Sequence, residues 1–231
     1  MHIEIKELIE GAKQARGLTV IIDVFRAFSL EAMLFHKGVK MIYATGSEDL
    51  ARALKKMHPE YLLIGERGGA ILPGFDYGNS PSQMQNLDVK DKILIHTTSA
   101  GTQGIANAIH ADQVITGSLL NAKAVVEYIR GGDYKEVTLV CMGQSGVESA
   151  PEDVLCAHYI KSMVEGTPFN IEEELIQLRR DQSVERFFDP DNHIFPQEDY
   201  EICTRYDLYD LVIEANLTDN GLYAMTKEDA S

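Results

Sequence analysis

The chain has 231 residues, 45% of them hydrophobic, enough to bury a sizeable core as one large domain or two small ones. Its formal net charge of -15 argues against non-specific attachment to nucleic acid or to an anionic membrane, because both need a basic surface. Three cysteines without C-x-x-C spacing suggest neither a disulfide framework nor a zinc site, and no apolar run reaches the roughly 18 residues of a membrane span; a cytoplasmic protein is expected.

Short apolar, β-branched runs at 19–22, 41–43, 61–64, 92–95, 113–115 and 137–140 are too brief for helices, and several are apolar on both faces. Between them, 28–37, 47–57, 101–108, 121–130 and 151–165 carry apolar residues three and four apart, the spacing of a helix face. The alternation predicts a layered α/β/α fold around a central, mostly parallel or mixed sheet. One domain is expected over 1–231, with its α/β core at about 15–165. From about 167 onward, helical segments and a loop around Pro190 and Pro196 are expected to pack on that core.

In an open α/β sheet, ligands bind beyond the carboxyl ends of the strands, so the residues just after each apolar run are the candidates for chemistry. Asp23 follows the first run, and Arg26 stands three residues later. A carboxylate in that place can ligate magnesium, attack phosphorus or cap the next helix. A haloacid-dehalogenase-type nucleophile needs a second Asp two residues on, where this chain has Phe25. After the third run, Glu66 and Arg67 set a metal or proton-transfer group beside a bidentate oxyanion binder, although a turn with one solvent ion pair would read the same way. The turn-rich stretch Pro73-Gly-Phe-Asp-Tyr-Gly-Asn-Ser-Pro81 follows and carries Asn79 and Ser80.

His96-Thr-Thr-Ser-Ala-Gly-Thr102 joins a strand to a helix, the usual setting of an anion cup, and simple capping fits the same residues. The Walker lysine is missing, which argues against a nucleotide triphosphate. Gly117-Ser-Leu-Leu-Asn121 repeats the arrangement with Ser118 and Asn121, where a cap and a turn are sufficient. Cys141 and Gly143 follow the last run. The arginine that cysteine phosphatases place six residues on is Val147 here, so Cys141 is expected to line the site rather than attack. Ser149 and Glu152 have capping-box spacing, which gives Glu152 a structural role and leaves Asp153 free to reach the cleft as a metal ligand.

Taken in order from about residue 20 to 160, six segments resemble the 2-phosphosulfolactate phosphatase family, the ComB-like phosphatases of coenzyme M biosynthesis. They are Ile22-Asp-Val-Phe-Arg-Ala27, Gly65-Glu-Arg-Gly-Gly69, the 73–81 stretch, Thr97-Thr-Ser-Ala-Gly-Thr102, Gly117-Ser-Leu-Leu-Asn-Ala122 and Glu152-Asp-Val-Leu-Cys-Ala157. The resemblance implies a ComB-like α/β fold and a magnesium-dependent hydrolase that takes 2-phospho-3-sulfolactate to 3-sulfolactate and phosphate. It implies catalytic roles for Asp23, Arg26, Glu66 and Arg67, with magnesium held by carboxylates drawn from Asp23, Glu66 and Asp153. Substrate contacts are expected from Asn79, Ser80, Thr97, Thr98, Ser99, Gly101 and Thr102, and from Ser118, Asn121, Cys141 and Gly143. The chain departs from the family pattern at Phe25, at Phe28-Ser-Leu30 and at Ala100, each replacing a residue of different polarity or shape. A non-catalytic sensor of a phosphate or sulfonate metabolite, or a phosphatase for another small monoester, are the alternatives. The expected partner is a small anionic substrate, with a homodimer burying the tyrosine-rich tail as a further expectation.

Overall fold

Ten strands form one mixed, mostly parallel sheet flanked by helices in the computed structural model, which describes residues 1–228. The chain begins with β1 (His2–Glu7), α1 (Leu8–Gln14), β2 (Leu18–Ile22), α2 (Ala27–His36), β3 (Met41–Ala44), α3 (Glu48–Met57), β4 (Leu62–Arg67) and the short β5 (Ala70–Ile71). It continues through α4 (Pro81–Met84), β6 (Ile93–Thr97), α5 (Gly101–Asn107), β7 (Gln113–Gly117), α6 (Ala122–Gly131), β8 (Glu136–Cys141) and α7 (Pro151–Glu165). The last part holds α8 (Ile171–Leu178), a 3-10 turn at Gln182–Phe187, α9 (Gln197–Cys203), β9 (Val212–Leu217) and β10 (Tyr223–Glu228). Each of the six apolar runs is a strand, and each of the five stretches with helical spacing is a helix.

β2 shows why the runs lack polar alternation. All five of its residues are buried. Leu18, Val20 and Ile22 enter one apolar cluster with α6 and α7, while Ile21 enters another with α2, as expected for a strand covered on both faces. Among the described residues, no helix is long and apolar enough to cross a membrane.

The strand order is β1-β8-β2-β7-β9-β10-β3-β6-β4-β5. Parallel pairing builds one block from β1, β8, β2 and β7 and a second from β3, β6 and β4. The antiparallel pair β9 and β10 joins the blocks, with β9 on β7 and β10 on β3. Residues 212–228, expected among helical and loop segments, are therefore strands in the middle of the sheet, and the sheet begins at His2 rather than near residue 15. The cause is tertiary: Val212, Ile213 and Met225 are fully buried between the two blocks, and that burial overrides the acidic, turn-rich look of the tail. Three antiparallel steps separate β7 from β3, so the second block runs opposite to the first; the loops after β2 and β8 and those after β4 and β6 nevertheless come together in space.

Candidate active site

Those loops meet the start of α7 and the segment 186–195 around a cavity of about 80 Å³. At 10–15 Å³ per water, that is room for roughly six waters or one small polyoxyanion. Asp23, Glu66, Asn79, Glu152 and Asp153 line it and are 2–5% exposed, which makes them its floor. Gly68, Gln144, Ser145, Arg186 and Phe195 are more exposed and form its rim.

Asp23 leaves the end of β2, and its Oδ1 accepts the Ala27 N–H at 3.2 Å as α2 begins. Burial pushes its carboxyl up to about 6; Glu66 repels its charge, and the Ala27 and Gly101 amides oppose the rise. A Cβ on Gly101 would stand 2.9 Å from Asp23 Oδ2, so α5 closes directly on the carboxylate. Glu66 ties the turn after β4 to the turn after β6. Its Oε1 accepts the Ser99 N–H at 2.6 Å, and its Oε2 accepts the Gly69 N–H at 2.6 Å and the Ser99 hydroxyl at 3.2 Å. Asp153 accepts the Val24 N–H on one oxygen and the Gly143 N–H on the other, both at 2.8 Å. Burial and then the charges of Asp23 and Glu152 push its carboxyl well up.

Glu152 is a site residue that the sequence reading put aside. The expected capping box does not form: α7 starts at Pro151 after an uncapped Ala150, and the Ser149 hydroxyl donates to Glu7 instead. Starting there makes Glu152 the second helical residue and turns it into the cavity, where Oε2 is buried with no partner among the described residues. Burial lifts its carboxyl from 4.5 to about 7 against the opposing charge of Arg186. Because the folded value lies above the unfolded one, the native state holds an extra proton between them, and stability falls as pH rises through that window. Glu152→Gln should therefore stabilise the chelator-treated protein by about 2 kcal/mol more at pH 8 than at pH 5. Urea unfolding at the two pH values reads this, and an equal effect at both would contradict it.

Arg26 lines the cavity with its guanidinium already engaged. Nη1 donates to Asp199 Oδ2 at 2.9 Å and to the Ile194 carbonyl at 2.8 Å, and Nη2 donates to the Gly69 carbonyl at 2.7 Å. Asp199 also accepts the Ser80 hydroxyl at 2.8 Å and the Ser82 N–H at 2.9 Å. Ser80 thus belongs to this network rather than to the lining.

The cavity gathers Asp23, Arg26, Glu66, Asn79, Ser99, Gly143 and Asp153 from the expected set. Arg67 lies outside, donating to Thr97 Oγ1 at 3.0 Å and to its neighbour's carbonyl at 2.7 Å. Thr98 and Thr102 exchange N–H to hydroxyl bonds of 2.9 and 3.1 Å, which fixes the turn into α5 and consumes the hydroxyls expected to hold an anion. Ser118 and Asn121 cap each other, and Asn121 donates to the Leu211 carbonyl ahead of β9. Cys141 donates to the Asp153 carbonyl at 3.4 Å, and burial raises its thiol far above any useful thiolate range. Glu152, Arg186 and Phe195 were not anticipated. Glu152 had a signal that the capping spacing masked, whereas Arg186 and Phe195 sit in a segment without periodicity.

Buried carboxylates and guanidinium groups gathered where the loops after β2, β4, β6 and β8 meet make this a candidate site for a small anion. Residues 3–217 match the family model described as 2-phosphosulpholactate phosphatase. The chain is 34% identical to a Bacillus subtilis (strain 168) protein over 81% of this chain and 82% of that one. It is 33% identical to a Carboxydothermus hydrogenoformans protein over 96% of each, and 31% identical to a Clostridium perfringens (strain 13 / Type A) protein over 90% of each. All three carry the name "Probable 2-phosphosulfolactate phosphatase". The chain belongs to the 2-phosphosulpholactate phosphatase family, whose members are phosphoric monoester hydrolases.

Proposed function

We propose that the protein hydrolyses the phosphate monoester of a 2-hydroxycarboxylic acid, 2-phospho-3-sulfolactate, to 3-sulfolactate and phosphate. The observation that carries this reading is the small cavity in which Asp23, Glu66, Glu152 and Asp153 face Arg26 and Arg186. A pure binder of a polyanion gains nothing from four carboxylates, while a phosphoryl-transfer site uses them to hold a cation or to attack.

Magnesium fits the donors present. They are oxygens only, and burial pushes three of the four carboxyls up, a charge penalty that a dication would relieve. Among the described residues no three acidic, His or Cys side chains are arranged to close on an ion, so an ion on one or two of Asp23, Glu66 and Asp153 would keep much of its water. Once bound, magnesium supplies neutralisation of charge on the phosphoryl oxygens. The remaining work falls to the chain. Asp23 is the carboxylate for attack on phosphorus or for holding the cation. The amide and hydroxyl bonds on Glu66 and Asp153 keep the other acids in place, and Arg26, locked by Asp199, fixes the Gly69 turn at the wall.

Phosphate release from 2-phosphosulfolactate and 2-phospholactate, measured with magnesium and with chelator, tests the proposal. Release that chelator abolishes and added magnesium restores is expected. Binding of these esters without release would establish the sensor alternative instead. Cytoplasmic residence, suggested by three buried free cysteines, and a homodimer are carried with the proposal, the second to be read by sedimentation.

A further inference from the structure

We infer that Arg186 is the substrate-binding side chain that recognises the acid group remote from the reacting phosphorus, a carboxylate or sulfonate oxyanion. The inference rests on the hydrolase reading above and assigns a role within that site.

Two guanidinium groups line the cavity, and they differ in what they have left to offer. Arg26 is almost fully buried, and its charge is met by Asp199. Arg186 comes from the 3-10 turn at Gln182–Phe187 and reaches the rim. Among the described residues it forms no ion pair, and its guanidinium makes one hydrogen bond, from Nη1 to Gln144 Oε1 at 3.1 Å. Among the described residues its buried Nε has no hydrogen-bond partner. The guanidinium lies 4.7 Å from the centre of the Phe195 ring and 5.4 Å from that of Phe187, contacts that hold its plane. The Glu152 and Asp23 carboxyls on the floor offset part of its charge, yet a half-buried, aromatic-backed guanidinium with most of its N–H groups unbonded is completed only when an anion accepts from them.

Position decides which anion. The carboxylates able to attack phosphorus or hold a cation are on the floor, so the phosphoryl group belongs there and the rest of the ester extends to the rim. In a 2-phospho-3-sulfo acid the carboxylate sits on the esterified carbon and the sulfonate on the next. Either one presents oxygens able to accept from the unbonded Nη groups of Arg186.

The test compares Arg186→Gln and Arg186→Lys with the parent on 2-phosphosulfolactate, 2-phospholactate and isopropyl phosphate, the last carrying a methyl where the carboxylate would be and a hydrogen where the sulfonate would be. Arg186→Gln should lower kcat/KM on 2-phosphosulfolactate by on the order of 100-fold, mainly through KM, with a matching loss on 2-phospholactate where the carboxylate is the group held and none there where it is the sulfonate, and leave isopropyl phosphate within about threefold. Arg186→Lys should recover part of the loss. An equal loss on all three esters, or none on 2-phosphosulfolactate, would overturn the assignment. Should the parent release phosphate from no ester, the hydrolase reading fails, and thermal shifts with 3-sulfolactate and inorganic phosphate as probes decide Arg186 separately. Loss of the 3-sulfolactate shift alone in Arg186→Gln supports the role; loss or retention of both shifts overturns it.

Discussion

Asp23→Asn is expected to reduce phosphate release by at least about 1,000-fold while making the protein more stable at pH 8. Asn is close to isosteric with Asp, so the 3.2 Å bond from the Ala27 N–H and the tight approach of Gly101 can both persist. What disappears is the negative charge that either attacks phosphorus or holds a cation. The same charge is a burden to the fold. The native carboxyl titrates near 6 against an ordinary 3.8, so its ionisation disfavours the folded state as pH rises through that interval. Removing it should add about 2 kcal/mol at pH 8 in the presence of chelator and little near pH 4. Activity and stability then move in opposite directions, a pattern that a purely structural aspartate would not give. Phosphate release within tenfold of the parent, or a variant less stable at pH 8, would contradict the role.

Asp199→Ala should have the largest effect on stability, a loss of about 3–5 kcal/mol in urea unfolding. Asp199 is 0% exposed and receives the Arg26 guanidinium, the Ser80 hydroxyl and the Ser82 N–H together. Its removal leaves a buried guanidinium without a counter-charge and releases the 80–82 turn from α9. Because Arg26 also holds the carbonyls of Gly69 and Ile194, the two cavity walls should loosen together and activity should fall with stability. Replacing both partners, as Arg26→Met with Asp199→Leu, should recover much of the stability without the activity, since the desolvation of two charges is then removed as well. A loss below about 1 kcal/mol in the single variant would show that the pair is not needed to hold the segment 194–199 over the site.

Local pattern made much of this architecture legible. The runs with apolar residues on both faces became the buried parallel strands, and the rule that loops at their carboxyl ends carry the chemistry led to Asp23, Arg26, Glu66, Ser99 and Gly143, all of which line the cavity; Asp153, on α7, was reached because the capping reading left it free. β1 was overlooked although Ile3 and Ile5 alternate with charged residues, the pattern of a strand at the sheet's edge. β9 and β10 were overlooked for a different reason. Glu214, Asn216 and Lys227 dilute their apolar signal, and only insertion between β7 and β3 makes them strands. At the site, the errors concern partners far apart in sequence. Nothing near Arg26 announces Asp199, 173 residues away, as its counter-ion. Thr98 and Thr102 looked like anion donors but satisfy each other. Glu152 looked like a cap because the spacing from Ser149 is right, and a helix start at Pro151 undid that spacing.

A crystal structure grown with magnesium and inorganic phosphate is the sharpest check on this picture. The phosphate should occupy the cavity between the Asp23 floor and the Arg186 rim, with a metal ion on an oxygen of Asp23, Glu66 or Asp153. Phosphate bound elsewhere, with this cavity holding only water, would contradict a phosphoryl-transfer site built from these side chains.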